Sequence, residues 1–396
     1  MAAWEHERNQ VYVTVDWRLT TADAHISNTE VRQHEDQCMN VFHCAHCQQL
    51  LFFENVQCMR CGHPLAYLPD LKVVGSLEPA GGDLWHSPLP QAAGRVYRLC
   101  TNYHRENVCN WAVPTTDPQP LCWSCRFTRV IPDLRQPGHK VAWYRLEVAK
   151  RRLFYSLLHL GLPLTPKSDD PAHGLAYEFL ADSDVPGAAP VLTGHRNGVI
   201  TINVAEADDV EREQRRHQMH EPYRTLLGHF RHESGHYYWD RLLQQSPRLA
   251  AFRLVFGDER ADYSEALTWH YQRGAPPDWP QRFISAYASA HPWEDWAETW
   301  AHYLHMTDAL ETAVACGLSL QPLRPDEPSL PPTARGDRLG AFDQKLTAWF
   351  SLIYVLNNLN RSLGLPDSYP FILSTPAIDK LRFIHETIAA AAHAVC

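Results

Sequence analysis

Two cysteine pairs with the same internal spacing, Cys44-Ala-His-Cys47 and Cys58-Met-Arg-Cys61, constrain the fold of this chain more than any other feature. In each pair a tight turn presents two thiolates to one point. Two such pairs ten residues apart can surround a tetrahedral Zn(II) ion, with Gly62 relieving the turn after the second. The apolar run Leu50-Leu-Phe-Phe53 between them suits the short hairpin of a zinc ribbon. A second set, Cys100, Cys109, Cys122 and Cys125, contains one further CxxC pair and reads as a second four-thiolate site, with His104 as an alternative donor for one position. A zinc ion ligated by four protein atoms has no open position for water, so both sites are expected to be structural. Cys38, Cys316 and Cys396 fall outside these sets and read as ordinary thiols.

Eleven cysteines, eight of them grouped in this way, fit a reducing compartment, and the N-terminus lacks the apolar core of a secretory signal, so a cytoplasmic location is expected. No run of apolar residues is long enough to span a bilayer. A net charge of -9 disfavours a general phosphate-binding surface and makes nucleic acid the weaker partner expectation. The length of 396 residues accommodates a small module and a larger domain. The divisions expected are an N-terminal extension over 1–40, carrying an alternating stretch at Val11–Val15, a cysteine-rich module over 41–137, and a larger domain over 138–396. The proline-rich stretch from Pro114 to Pro137 should carry the chain out of the module.

Beyond it, apolar residues at Leu146, Ala149, Leu153, Leu157 and Leu160 recur at helical spacing, predicting a core-covering helix from Ala142 to Leu160. Leu175–Leu180 and Gly198–Val204 read as strands. An edge strand at such a position suits pairing with an extended peptide, plain sheet structure being the alternative. Pro222 suits the first turn of the next helix, which carries His232-Glu233-Ser234-Gly235-His236. On a helix, His232 and His236 point the same way and can share a metal ion, while Glu233 can reach a water there as general base. A pair of hydrogen-bonded core histidines is the alternative, and His229 nearby shows that histidine in this helix need not mean ligand.

A third ligand decides between these. Position 242 is Leu, so a histidine six residues past the motif is absent. Further along, a helix beginning after Pro292 sets Glu294 and Glu298 four residues apart on one face, among Trp293, Trp296 and Trp300. Two carboxylates so placed repel unless a cation or an imidazole lies between them. Glu294 is the preferred metal ligand and Glu298 the group orienting a ligand histidine; the reverse assignment stays open, and Asp295, pointing about 100° away from Glu294, is the weakest contender. Tyr287, seven residues before Glu294, is placed either to donate to an oxyanion or to pack in the core. Phe342–Leu363 and Ile378–Val395 read as long C-terminal helices that pack on this domain or form an interface.

Taken together, Cys44–Cys61, Cys100–Cys125, Thr201–Asp208, Tyr223–Asp240, Phe256–Arg260 and Pro292–His302 resemble the bacterial zinc-binding metallopeptidases that carry an N-terminal zinc ribbon. The resemblance runs from about residue 42 to the C-terminus and leaves residues 1–40 outside. It implies a gluzincin-like catalytic fold. The run from Tyr287 to Glu298 is also similar to the lethal-factor type of gluzincin, which implies Tyr287 as oxyanion donor, Glu294 as ligand and Glu298 as the residue behind it.

The expected architecture is therefore α+β, a zinc-ribbon module followed by a mostly helical zincin-like domain with a small β-sheet. The expected cofactor is Zn(II), three ions in all, one catalytic and two structural. The expected reaction is metal-assisted hydrolysis of a peptide or protein substrate, with Glu233 as general base. The alternative is an adaptor whose ribbon recruits a protein or nucleic acid while the zincin-like part is inactive or serves as a scaffold.

Overall fold

The computed structural model describes residues 41–395, apart from 184, 186, 188, 210, 211, 213–224 and 331–339. The expected strand at Val11–Val15, the role of Pro222, and the thiols Cys38 and Cys396 lie outside the described residues.

The N-terminal half is built from short strands. β1 (Phe42–His43) and β2 (Leu50–Leu51) form the hairpin between the first cysteine pairs. Only part of the apolar run is strand, and Phe52 is exposed. β3 (Leu65–Leu68) and β4 (Val73–Ser76) form a second hairpin, and β5 (Glu78–Gly81), β6 (Leu84–His86), β7 (Tyr97–Leu99) and β8 (Ala112–Pro114) an antiparallel sheet. These six strands are additional to the expected ribbon. They surround a real core, with Tyr67, Tyr97 and Trp111 fully buried.

The proline-rich stretch does more than leave this module. Within it, β9 (Thr128–Val130) pairs in parallel with β10 (Ala176–Leu180), so a segment expected to belong to the cysteine-rich module supplies an edge of the larger domain's sheet. The strand order is β11 (Gly194–Arg196), β12 (Val199–Asn203), β10, β9, all parallel except β11. Asn197 and Gly198, both at positive φ, make the two-residue turn joining β11 to β12. Both strands expected from sequence are thus interior, and the edge near the motif helix is β11. Its Gly-His-Arg sequence carries none of the β-branched residues that mark strands.

Among the described residues seven main helices follow or interleave: α1 (His139–His159), α2 (Leu226–Leu242), α3 (Leu249–Phe256), α4 (Tyr263–Arg273), α5 (Pro292–Ala315), α6 (Phe342–Ser362) and α7 (Thr375–Val395). α1 and α2 cover the sheet, where Phe154 meets Tyr177 with its ring tilted by 57° and Phe230 stacks on the same ring. α5, the longest, is buried along most of its length against α2 on one side and α6 and α7 on the others. Both C-terminal helices therefore pack on the larger domain. Among the described residues no helix is long and apolar enough to cross a membrane.

Candidate metal centres and active site

The two cysteine sets form two tight clusters. Cys44 and Cys61 sulfurs lie 3.6 Å apart, as do those of Cys47 and Cys58, and Cys109 and Cys122 are separated by 3.7 Å. A disulfide would need about 2.05 Å. A tetrahedron of sulfurs about 2.3 Å from zinc has edges of about 3.8 Å, close to what is found. Backbone amides point at the thiolates: Cys122 N–H at Cys100, Trp111 N–H at Cys109, and Cys125 N–H at Cys122. His104 is exposed and lies outside the second cluster, so that site is four-thiolate. Cys316 is an exposed free thiol.

The third centre lies where α2 crosses α5. α2 is capped by Thr225, whose hydroxyl accepts from the Gly228 N–H at 2.9 Å, and α5 by His291, whose ring accepts from the Trp293 N–H, with Pro292 in the first turn. Gly235 has no side chain because none fits: a Cβ there would lie 2.9 Å from Cα of Ala297. The close approach is tied by two indole donors, Trp296 to the Gly235 carbonyl at 2.8 Å and Trp300 to Ser234 Oγ at 3.1 Å.

That crossing brings three ligand atoms together. Nε2 of His232 and Nε2 of His236 are 3.2 Å apart, and Oε2 of Glu294 lies 3.0 Å from the first and 3.6 Å from the second. Donors about 2.0–2.1 Å from a tetrahedral zinc are separated by about 3.3–3.4 Å, so the triangle has the right size. Oε2 of Glu294 is buried without a well-directed hydrogen bond, as fits an atom aimed between the two imidazoles rather than at either. Its other oxygen accepts from Tyr263 Oη at 2.6 Å. These residues fit a zinc ion.

Glu298 takes the supporting position. Its Oε1 is 2.7 Å from Nδ1 of His232, and its Oε2 accepts from Ser285 Oγ at 2.7 Å. Burial would raise this carboxyl, but its bond to His232 holds it down at about 2. An ionised carboxylate on Nδ1 fixes the tautomer that leaves Nε2 free to ligate. Asp295 turns away to Lys380, at 2.6 Å. His229 sets its Nδ1 3.2 Å from Glu206, away from the centre.

Glu233 is buried, and its Oε2 finds no hydrogen-bond partner in the protein. Tyr287, in a single 3-10 turn, places its ring 6.0 Å from that of His232. Burial first, and then the charge of Glu294, push its phenol well up, so it keeps its proton. Five of the six residues expected at this centre are tied together by these distances, and Glu233 directly follows His232 on the same helix.

Three others were not legible. Tyr263 and Ser285 come from segments without a motif and reach the carboxylates only through the packing of α4 and the loop before α5. His195, on the edge strand β11, lies parallel to His236 with ring centroids 6.5 Å apart. Its Nε2 accepts from the Gly198 N–H at 3.0 Å, which leaves the proton on Nδ1. Burial, helped by His236, lowers its pKa to about 3, so the ring is neutral. The only sequence signal was the Asn-Gly turn that follows it.

Comparison with known proteins gives a consistent picture. Residues 139–387 match the family model described as "Putative zinc-binding metallo-peptidase", and residues 41–136 match a zinc-ribbon domain. Similar proteins, all named as uncharacterized, occur in Mycobacterium bovis and in two strains of Mycobacterium tuberculosis; each is 44% identical over 351 residues, 88% of this chain and 95% of the relative. No solved structure matches.

Proposed function

Because the chain belongs to this family of zinc-binding metallopeptidases, we propose that it hydrolyses peptide bonds at the α2–α5 crossing, with His232, His236 and Glu294 holding one zinc ion and the cysteine clusters two more. The observation that carries the reading is the pairing of a three-ligand triangle with a buried, unpartnered carboxylate one residue from the first ligand. Three protein ligands leave a position for water or substrate, in contrast to the closed cysteine sites.

Zinc at that position supplies Lewis acidity, polarising a carbonyl and acidifying water. Glu233 accepts the proton of the attacking water on its free Oε2 and returns it to the leaving amine. Tyr287, protonated by virtue of its burial, donates to the oxyanion. His195 offers its Nδ1–H from the edge strand to the substrate or the same oxyanion. Glu298 keeps His232 in register, and Ser285 and Tyr263 hold the two carboxylates. A peptide substrate and a cytoplasmic setting belong to this reading.

The test combines metal content with turnover. Wild type should hold three zinc ions per chain and cleave members of a diverse peptide library. Glu233→Gln should keep three ions and lose cleavage, and His232→Ala should fall to two. Three ions retained in His232→Ala would refute the ligand assignment, and undiminished cleavage by Glu233→Gln would refute the base.

A further inference from the structure

A further set of metal-ligating side chains sits on the outer side of the first cysteine cluster. His46 lies within the first CxxC pair and His63 two residues beyond the second. The related turns of the two pairs, closed by Gln48 and Gly62 at positive φ, bring the imidazoles together, stacked with centroids 4.0 Å apart and planes 25° from parallel. One ligand atom from each ring and the sulfur of Cys61 all lie within 4.8 Å of one another.

Two features go beyond chance proximity. Nδ1 of His63 is buried and has no hydrogen-bond partner, a condition that ordinary surface packing does not favour. Cys61 is partly open to solvent, whereas Cys44 and Cys58 are fully buried. A thiolate bound to one zinc ion retains lone pairs on its outer side, and Cys61 can direct one of these toward the two histidines. Two imidazoles with a soft sulfur make a donor set for borderline divalent ions such as zinc or cobalt.

We propose that His46, His63 and the Cys61 thiolate form a second, exchangeable divalent-metal site on the ribbon, sharing Cys61 with the structural ion. The shared, already neutralised thiolate makes this site weaker than the four-cysteine site it adjoins, and three protein ligands leave a position for water or an outside donor. The inference rests on zinc in the cysteine cluster and is independent of peptidase activity.

The test uses full-length, zinc-loaded protein titrated with Co(II), with released zinc measured alongside. Wild type should bind one Co(II) beyond its zinc complement and show a thiolate-to-cobalt charge-transfer band. The variant His46→Ala/His63→Ala should lose both while keeping that complement. Should the double variant lose ribbon zinc, His46→Gln alone, at an exposed side chain, should still weaken cobalt uptake by about 10-fold or more. No extra ion in wild type, a bound ion without the sulfur band, a band that persists in the zinc-retaining double variant, or wild-type cobalt affinity in His46→Gln would overturn the proposal.

Discussion

Replacing Gly235 by Ala perturbs packing and chemistry through one atom. The added Cβ would stand 2.9 Å from Cα of Ala297, 3.2 Å from Cβ of Trp300 and 3.3 Å from Cβ of Ala297. The nearest neighbour is backbone of a helix buried on several sides, so it cannot rotate away. Restoring ordinary contact requires α2 and α5 to separate by roughly 0.5–1 Å. Overpacking of this kind costs about 1–3 kcal/mol, while Ala recovers about 1 kcal/mol of helix propensity over Gly, for a net loss of ~0–2 kcal/mol. In a chain of this size that is at most a few degrees of melting temperature. The effect on the centre is larger, because His232 and His236 ride on α2 while Glu294 and Glu298 ride on α5. A shift approaching 1 Å between ligands costs about 10²-fold where geometry governs rate. Zinc affinity, measured by competition with a chromophoric chelator, should therefore fall 10-fold or more in a variant that still melts cooperatively near wild type. Wild-type affinity with a raised melting temperature would show that the crossing relaxes freely and would refute the coupling of packing to ligation.

Three other outcomes follow from particular contacts. Arg231→Met leaves Asp308, also bonded by Ser156 at 2.8 Å, as a buried carboxylate without its guanidinium partner, and should cost about 3–5 kcal/mol in denaturant unfolding; adding Asp308→Leu should recover most of the loss, and no recovery would mean Arg231 acts by packing. Glu298→Ala frees Nδ1 of His232 and should weaken the third zinc by about 10–100-fold in chelator competition, leaving the two cysteine-bound ions in place. His195→Ala should lower kcat by about 10-fold or more with an unchanged zinc count; an effect on KM alone would make His195 a binding residue, and loss of zinc would make it structural.

Much of the candidate centre was legible because helices have a fixed period. Four-residue spacing placed His232 with His236 and Glu294 with Glu298, and the observed triangle needs only that these two faces meet. Which carboxylate faces the metal was a matter of preference in the sequence; in the structure, the Ser285 and His232 bonds engage both oxygens of Glu298. The cysteine clusters were legible for a similar reason, since a CxxC turn fixes its own geometry. What escaped was long-range. Tyr263 meets Glu294 across 31 residues of chain, and no local pattern encodes that meeting. The six strands β3 to β8 escaped because they are three or four residues long, too short for alternation to register, and pairing rather than propensity forms them.

The path of the chain between the cysteines and α1 gives the ribbon a part in the larger domain's integrity. Cys125 belongs to the second thiolate cluster, and three residues later Thr128 begins the strand that closes one edge of the domain's sheet. Arg151 of α1 reaches back, donating to the Val108 carbonyl at 2.9 Å beside the thiolates of Cys109 and Cys125. The two family matches divide the sequence between residues 136 and 139, but the physical seam does not follow that line. Expressing the chain from residue 138 onward would uncover one edge of β10 and take from the buried Arg151 guanidinium its Val108 acceptor, leaving it Glu147 at 3.6 Å. Opening the second cluster would act at the same place: without the anchor at Cys125, β9 loosens, and with it the sheet against which the helix of His232 and His236 is packed.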